Sequence, residues 1–201
     1  MRNVFHWCYQ FVGHVICKIM LLYWNIRDRV NPPKEDAVLF VAHPDDDTLF
    51  FHTWIQKEKP YVCLMTTGWS LRRMPCFIKA MKQYGVRFRA YDMETNDQRE
   101  ELIVRRVKKV LSLGHFKTVA SHNREGEYGH EMHRRMHRCV AAAVGGPVLC
   151  PVTKEEIGRY PLPACAVSEK TEIFQQVYIT EVFVLDEYAD WVCHEKLRKA
   201  D

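Results

Sequence analysis

Ala37-Val38-Leu39-Phe40-Val41-Ala42-His43-Pro44-Asp45-Asp46-Asp47 opens with an apolar run and closes on one imidazole and three carboxylates. The run reads as a buried strand, and Pro44 stops it. A strand ending in His and Asp delivers those side chains to the edge of a sheet. There a divalent metal could take some of them and leave one carboxylate free as a base. The same residue types also serve turns and helix caps, where Asp accepts from free backbone N–H groups. Taken alone, the stretch leaves both readings open.

A second cluster adds weight to the metal reading. Gly126-Glu127-Tyr128-Gly129-His130-Glu131-Met132-His133 opens an apparent helix, and His130 and His133 share a helix face at i and i+3. The two segments together resemble the LmbE-like/PIG-L family of metal-dependent de-N-acetylases, whose signature is a strand followed by Ala-His-Pro-Asp-Asp and then a distant Gly-His-x-x-His. The resemblance runs from about Val38 to about Val144, with a weaker echo at Leu185-Asp186-Glu187-Tyr188. It implies that His43, Asp46 and His133 hold Zn2+, although these ligand types leave Fe2+, Mn2+ and Co2+ open. It further implies Asp45 as general base, His130 as a cationic oxyanion stabiliser in need of a carboxylate partner, and Tyr128 as a hydroxyl donor to the carbonyl oxygen. Arg73 and Trp69 become candidate substrate contacts. The implied reaction is removal of the N-acetyl group from an N-acetylglucosamine-type amino sugar. Two alternatives stand beside it: a catalytically drifted metal-binding module of the same fold, and another metallohydrolase reaction in the same crevice.

The chain departs from the family pattern at several places. Phe50-Phe51 stands where relatives usually have a glycine pair, Asp47 where glutamate is general, and Cys76 where a glutamate commonly follows the arginine. Tyr188-Ala189-Asp190-Trp191 lacks the family's terminal Ser-Gln, so no site residue is carried over from it.

Strand-like and helix-like segments alternate from Ala37 to Cys150, which argues for a parallel sheet wound by right-handed crossovers. The expected fold is α/β, a Rossmann-like mostly parallel sheet of order 3-2-1-4-5 with helices on both faces. Its third strand, Val86 to Tyr91, alternates like an edge strand with one wet face. The first and fourth strands then meet at the switch point where ligands bind in open sheets, which brings His43, Asp45 and Asp46 to His130 and His133. Asn96 or Asp97 is expected to cap the following helix, and Glu181 to Lys196 reads as one terminal helix.

Residues 4–24 form a mostly apolar helix with one polar stripe, His6, Gln10, His14 and Lys18. Such a helix needs cover from the domain, a partner or a lipid surface, so membrane-surface contact through residues 4–24 stays open. Lys18 in its middle argues against a spanning helix, and no small-residue cleavage site follows a clean apolar core. Asn31-Pro32-Pro33 breaks the helix, dividing the chain into residues 1–33, an amphipathic helix and linker, and residues 34–201, the deacetylase-like domain.

The 201 residues carry a net charge of +4, from 29 basic and 25 acidic side chains spread along the chain. That mild balance gives nucleic acid no support as a partner; the family resemblance implies a glycoconjugate or other small amino-sugar substrate. Eight cysteines contain no Cys-x-x-Cys pair, which suits a reducing, cytoplasmic setting, with or without peripheral contact to a membrane.

Overall fold

The computed structural model describes residues 2–66, 71–93 and 99–200. Five strands run parallel: β1 (Ala37–Val41), β2 (Tyr61–Thr66), β3 (Phe88–Met93), β4 (Thr118–Ser121) and β5 (Val148–Pro151). Their order is β3-β2-β1-β4-β5, as the alternation of elements predicts, and β6 (Leu197–Ala200) adds an antiparallel strand beside β5. The last addition is new. Glu181 to Lys196 is not one helix but two short ones, α8 (Val184–Glu187) and α9 (Ala189–Cys193), before the chain turns extended.

Every residue of β1 is buried because both faces of the sheet are covered. Leu39 and Val41 point to a core built with α2 (Asp46–Glu58), α3 (Arg73–Tyr84) and α7 (Ala164–Gln176). Val38 and Phe40 point to the opposite core, built with α4 (Glu100–Leu111) and α5 (Glu131–Val144). A further single turn, α6 (Lys154–Ile157), follows β5. Gly85, at φ 66°, closes α3 in the left-handed conformation expected of a terminal glycine.

The N-terminal helix α1 (Arg2–Val30) packs along β3. It puts Cys17 and Trp24 into the first core and Leu21 against the second. This overturns the expected wet face of β3. Arg89 is fully buried there, donating to Asn25 Oδ1 (2.6 Å) and pairing with Asp28 (3.5 Å) on the helix. Among the described residues no helix is long and apolar enough to cross a membrane, and the described cysteines are free thiols. The expected caps Asn96 and Asp97 lie outside the described residues.

Candidate metal centre

β1 and β4 are hydrogen-bonded neighbours in register Phe40 to Ser121, so the residues that leave their carboxyl ends meet. His43, Asp45 and Asp46 follow β1, while His122 follows β4 and leads to His130 and His133 at the start of α5. The helix-cap reading of the first stretch fails at Asp45. It holds the N-cap position of α2, yet its side chain makes no capping bond.

Three donors converge. His43 Nδ1 lies 3.1 Å from His133 Nε2 and 3.4 Å from Asp46 Oδ2, and His133 Nε2 lies 3.3 Å from Asp46 Oδ1. Ligands bound at about 2.0–2.2 Å around a tetrahedral centre stand roughly 3.3–3.6 Å apart, so these separations are close to what a zinc-like ion requires, with the two rings facing different oxygens of Asp46. His130 and His122 extend the cluster on either side. His43, His130 and His133, and likewise Asp46, His122 and His133, each gather three potential ligand atoms within 4.8 Å of one another. Asp46 is held ionised: burial opposes its charge, but the His133, His122 and His43 rings outweigh it and keep the carboxyl well below the usual range.

Glu127 organises the rings from behind. Its buried Oε2 accepts from His133 Nδ1 (2.7 Å) and His122 Nδ1 (3.1 Å), while Oε1 accepts from the Asn123 N–H (2.8 Å). The Ala42 N–H (3.0 Å) and Asp46 Oδ2 (3.2 Å) both lie against His122 Nε2; burial opposes a charge on this ring, yet the Glu127 and Asp46 carboxylates on its two sides raise its pKa to about 10. A proton on His133 Nδ1 frees Nε2, the nitrogen that faces Asp46 and His43, as a ligand. Burial would raise the Glu127 carboxyl, yet the two imidazoles hold it down at about 2. His137 backs the same loop. It is buried on α5, donating from Nδ1 to the His122 carbonyl (2.9 Å).

Asp45 stands beside this set without belonging to it. Its backbone adopts φ 111°, a strained conformation for a residue with a side chain. Asp47 Oδ1 accepts the Asp45 N–H (3.3 Å), and Asp47 is itself held by the Tyr178 hydroxyl (2.7 Å) and by Thr48 (3.0 Å). Asp47 thus supports the Asp45 backbone. Arg73, the first residue of α3, donates to the Pro44 carbonyl (3.0 Å) and Asp45 Oδ1 (3.2 Å), and pairs with Glu181 (3.0 Å). Burial and the adjacent Asp46 push the Asp45 carboxyl well above its ordinary range, with Arg73 pulling the other way. Trp69 lies outside the described residues.

These groups line a cavity of about 230 Å³, closed on its other side by Tyr128, His130, Phe183 and Tyr188. Tyr128 stacks on Tyr188 at 4.3 Å. His130 has no carboxylate partner among the described residues. Its Nδ1 instead accepts the Met132 N–H (3.2 Å) as the N-cap of α5, and burial with the nearby His133 and His43 pushes its pKa down to about 4. The ring is neutral with its proton on Nε2, which replaces the expected cation with a neutral donor. Phe50 packs its ring edge-on to His133 at 5.8 Å and to Trp191 at 5.1 Å, so it backs the His133 ring.

Glu127, Glu181, Tyr178 and Tyr188 escape a reading of sequence as site groups, and His122 enters it only as a weak candidate. His122 had a usable signal, since it follows β4 as His43 closely follows β1. Glu181 and Tyr178 arrive from the irregular C-terminal third, where no periodicity announces them.

No family model matches the chain, and no curated protein sequence matches it significantly. Among solved structures it is similar to GalB, the 4-carboxy-2-hydroxymuconate hydratase of Pseudomonas putida KT2440. The TM-score is 0.59 at 14% identity, covering 83% of this chain and 96% of that one. A likeness at that identity speaks for a shared fold.

Proposed function

We propose that the chain is a metal-dependent hydrolase that removes the N-acetyl group from an N-acetylglucosamine-type amino sugar. The observation that carries this reading is the division of labour at one strand end: three converging donors, His43, Asp46 and His133, beside a strained, non-capping carboxylate, Asp45. Held there, Zn2+ or a similar divalent ion would supply Lewis acidity toward a carbonyl and acidify a water at neutral pH.

The chain's own groups supply the rest. Asp45, with its raised pKa and its carboxylate fixed by Arg73, accepts the proton of the attacking water and returns it to the departing amine. His130 and Tyr128 line the same cavity, and the His130 Nε2–H and the Tyr128 hydroxyl are the groups that can donate to the oxygen that gains charge. A volume of about 230 Å³ is below the roughly 300–1,000 Å³ of a full ligand pocket. It suits the acetamido end of a substrate whose bulk stays outside, against the Tyr128–Tyr188 wall.

Hydration of a polycarboxylate, suggested by the name of the fold neighbour, is less well served. Arg73 is the cavity's cation among the described residues, and it is already engaged by Asp45 and Glu181. The test is metal content by elemental analysis, with free-amine release from N-acetylglucosamine and its glycosides, on wild type and Asp45→Asn. One ion per chain with amine release, abolished in Asp45→Asn while the ion is retained, is expected. Release that survives the substitution refutes Asp45 as the base, and a chain that takes up no metal refutes the centre.

A further inference from the structure

Among its described side chains, helix α1 meets its own domain along one side. Gly13, Cys17, Trp24 and Asp28 are buried there. Asp28 is the anchor, accepting from the Tyr61 hydroxyl (2.6 Å) and pairing with Arg27 (2.7 Å) and Arg87 (3.3 Å). The opposite side is bare: Val12, Ile16, Ile19, Tyr23, Ile26 and Val30 are between 40% and 81% exposed.

Those six positions are separated by steps of 4, 3, 4, 3 and 4, and in the sequence Phe5 and Tyr9 continue the alternation toward the start of the helix. An apolar repeat of 3.5 residues is the seam of a coiled coil. Phe11, Val15 and Leu22 are exposed as well and widen the apolar arc enough for a lipid surface to accept it, but only a partner helix makes use of the 3.5-residue alternation. With Val15 and Leu22 beside it, also exposed, the seam presents on the order of 800 Å² of apolar surface. That is one partner's share of a standard-size interface, and more than the few hundred Å² a monomer usually leaves open.

We propose that α1 pairs along this seam with α1 of a second copy of the chain, forming a two-fold dimer. A repeat of this kind is self-complementary, so an identical helix fits it. The flanking positions are Gly13, Met20 and Arg27 on one side and Val15, Leu22 and Arg29 on the other. Charge therefore enters only at the last turn, and the central turns offer an identical helix no like-charge barrier. The rest of the domain stays clear, because α1 meets it through the buried Asp28 side.

The experiment uses the full chain, with mass measured by light scattering after gel filtration at tens of micromolar. Wild type is expected at twice the chain mass. Ile19→Glu with Ile26→Glu, and Ile19→Lys with Ile26→Lys, are each expected at one chain mass with unchanged far-UV circular dichroism, and an equal mixture of the two variants is expected to recover the dimer. Three results would overturn the proposal: a monomeric wild type, a dimer that survives both double substitutions, or a monomer that floats with phosphatidylcholine/phosphatidylserine vesicles and loses that binding in the same variants.

Discussion

Replacing Glu127 by Gln changes a single oxygen for an amide NH2, and the surroundings of this residue leave the NH2 nowhere to go. If it takes the place of Oε2, it meets two ring nitrogens, His133 Nδ1 at 2.7 Å and His122 Nδ1 at 3.1 Å, both of which must donate. Relief then comes by moving the His133 proton to Nε2, the nitrogen that faces Asp46 and His43, which blocks it as a ligand. If the amide flips, the NH2 faces the Asn123 N–H, 2.8 Å from Oε1 in the native chain, and two donors oppose each other in a buried site. The first outcome should lower metal affinity by roughly 10–100-fold, the usual loss when the partner of a ligating histidine is removed. The second should cost about 1–3 kcal/mol of fold stability for an unsatisfied buried group. Zinc titration against a chromophoric chelator, together with urea denaturation of the metal-free chain, reads both. Zinc affinity within two-fold of wild type and an unchanged urea midpoint would refute the role given to Glu127.

Lys170 is fully buried, donating to the Trp191 carbonyl, and burial lowers its pKa to about 8 despite the nearby Glu195. The folded state therefore binds fewer protons than the unfolded chain between pH 8 and about 10.4, so this group makes stability rise with pH across that window, by on the order of 3 kcal/mol. Urea denaturation at pH 7 and pH 10 under reducing conditions should show wild type gaining on Lys170→Met by that amount; a constant difference contradicts it. Tyr178→Phe removes the 2.7 Å hydrogen bond to Asp47 Oδ1 and is expected to cost about 1–3 kcal/mol, a drop of several degrees in Tm; no change would mean that Asp47 is held without it. At Gly126, φ is 73° and an added Cβ would stand 2.5 Å from the His130 carbonyl. Gly126→Ala should thus weaken zinc binding and destabilise the chain by at least about 1–2 kcal/mol, both readable in a zinc-dependent thermal shift.

The parallel half of the sheet was legible because strands buried on both faces are written as unbroken apolar runs, such as Ala37–Val41, separated by amphipathic helices. The convergence of His43, Asp46 and His133 followed from strand order alone, since adjacent β1 and β4 bring their exit loops together. Local patterns fell short where the partner is remote. Arg89 looks like the wet side of an edge strand until α1 is known to cover it. The lowered pKa of His130 comes from burial and from His133 and His43 beside it, a setting that only the folded chain assembles. The C-terminal helices α8 and α9 are one turn each, too short for a 3.6-residue period to declare itself.

The antiparallel β6 has a consequence for how the molecule behaves in a crowded solution. Without it, β5 would offer an open row of N–H and C=O groups next to Val148 and Cys150, a template on which another extended chain could grow. β6 closes that row with four residues, two of them the cations Arg198 and Lys199. Four residues make a short edge, charged through Lys199 and the Arg198–Glu156 pair (2.8 Å), which disfavours further strand addition and protects the sheet from edge-to-edge aggregation at the end farthest from α1.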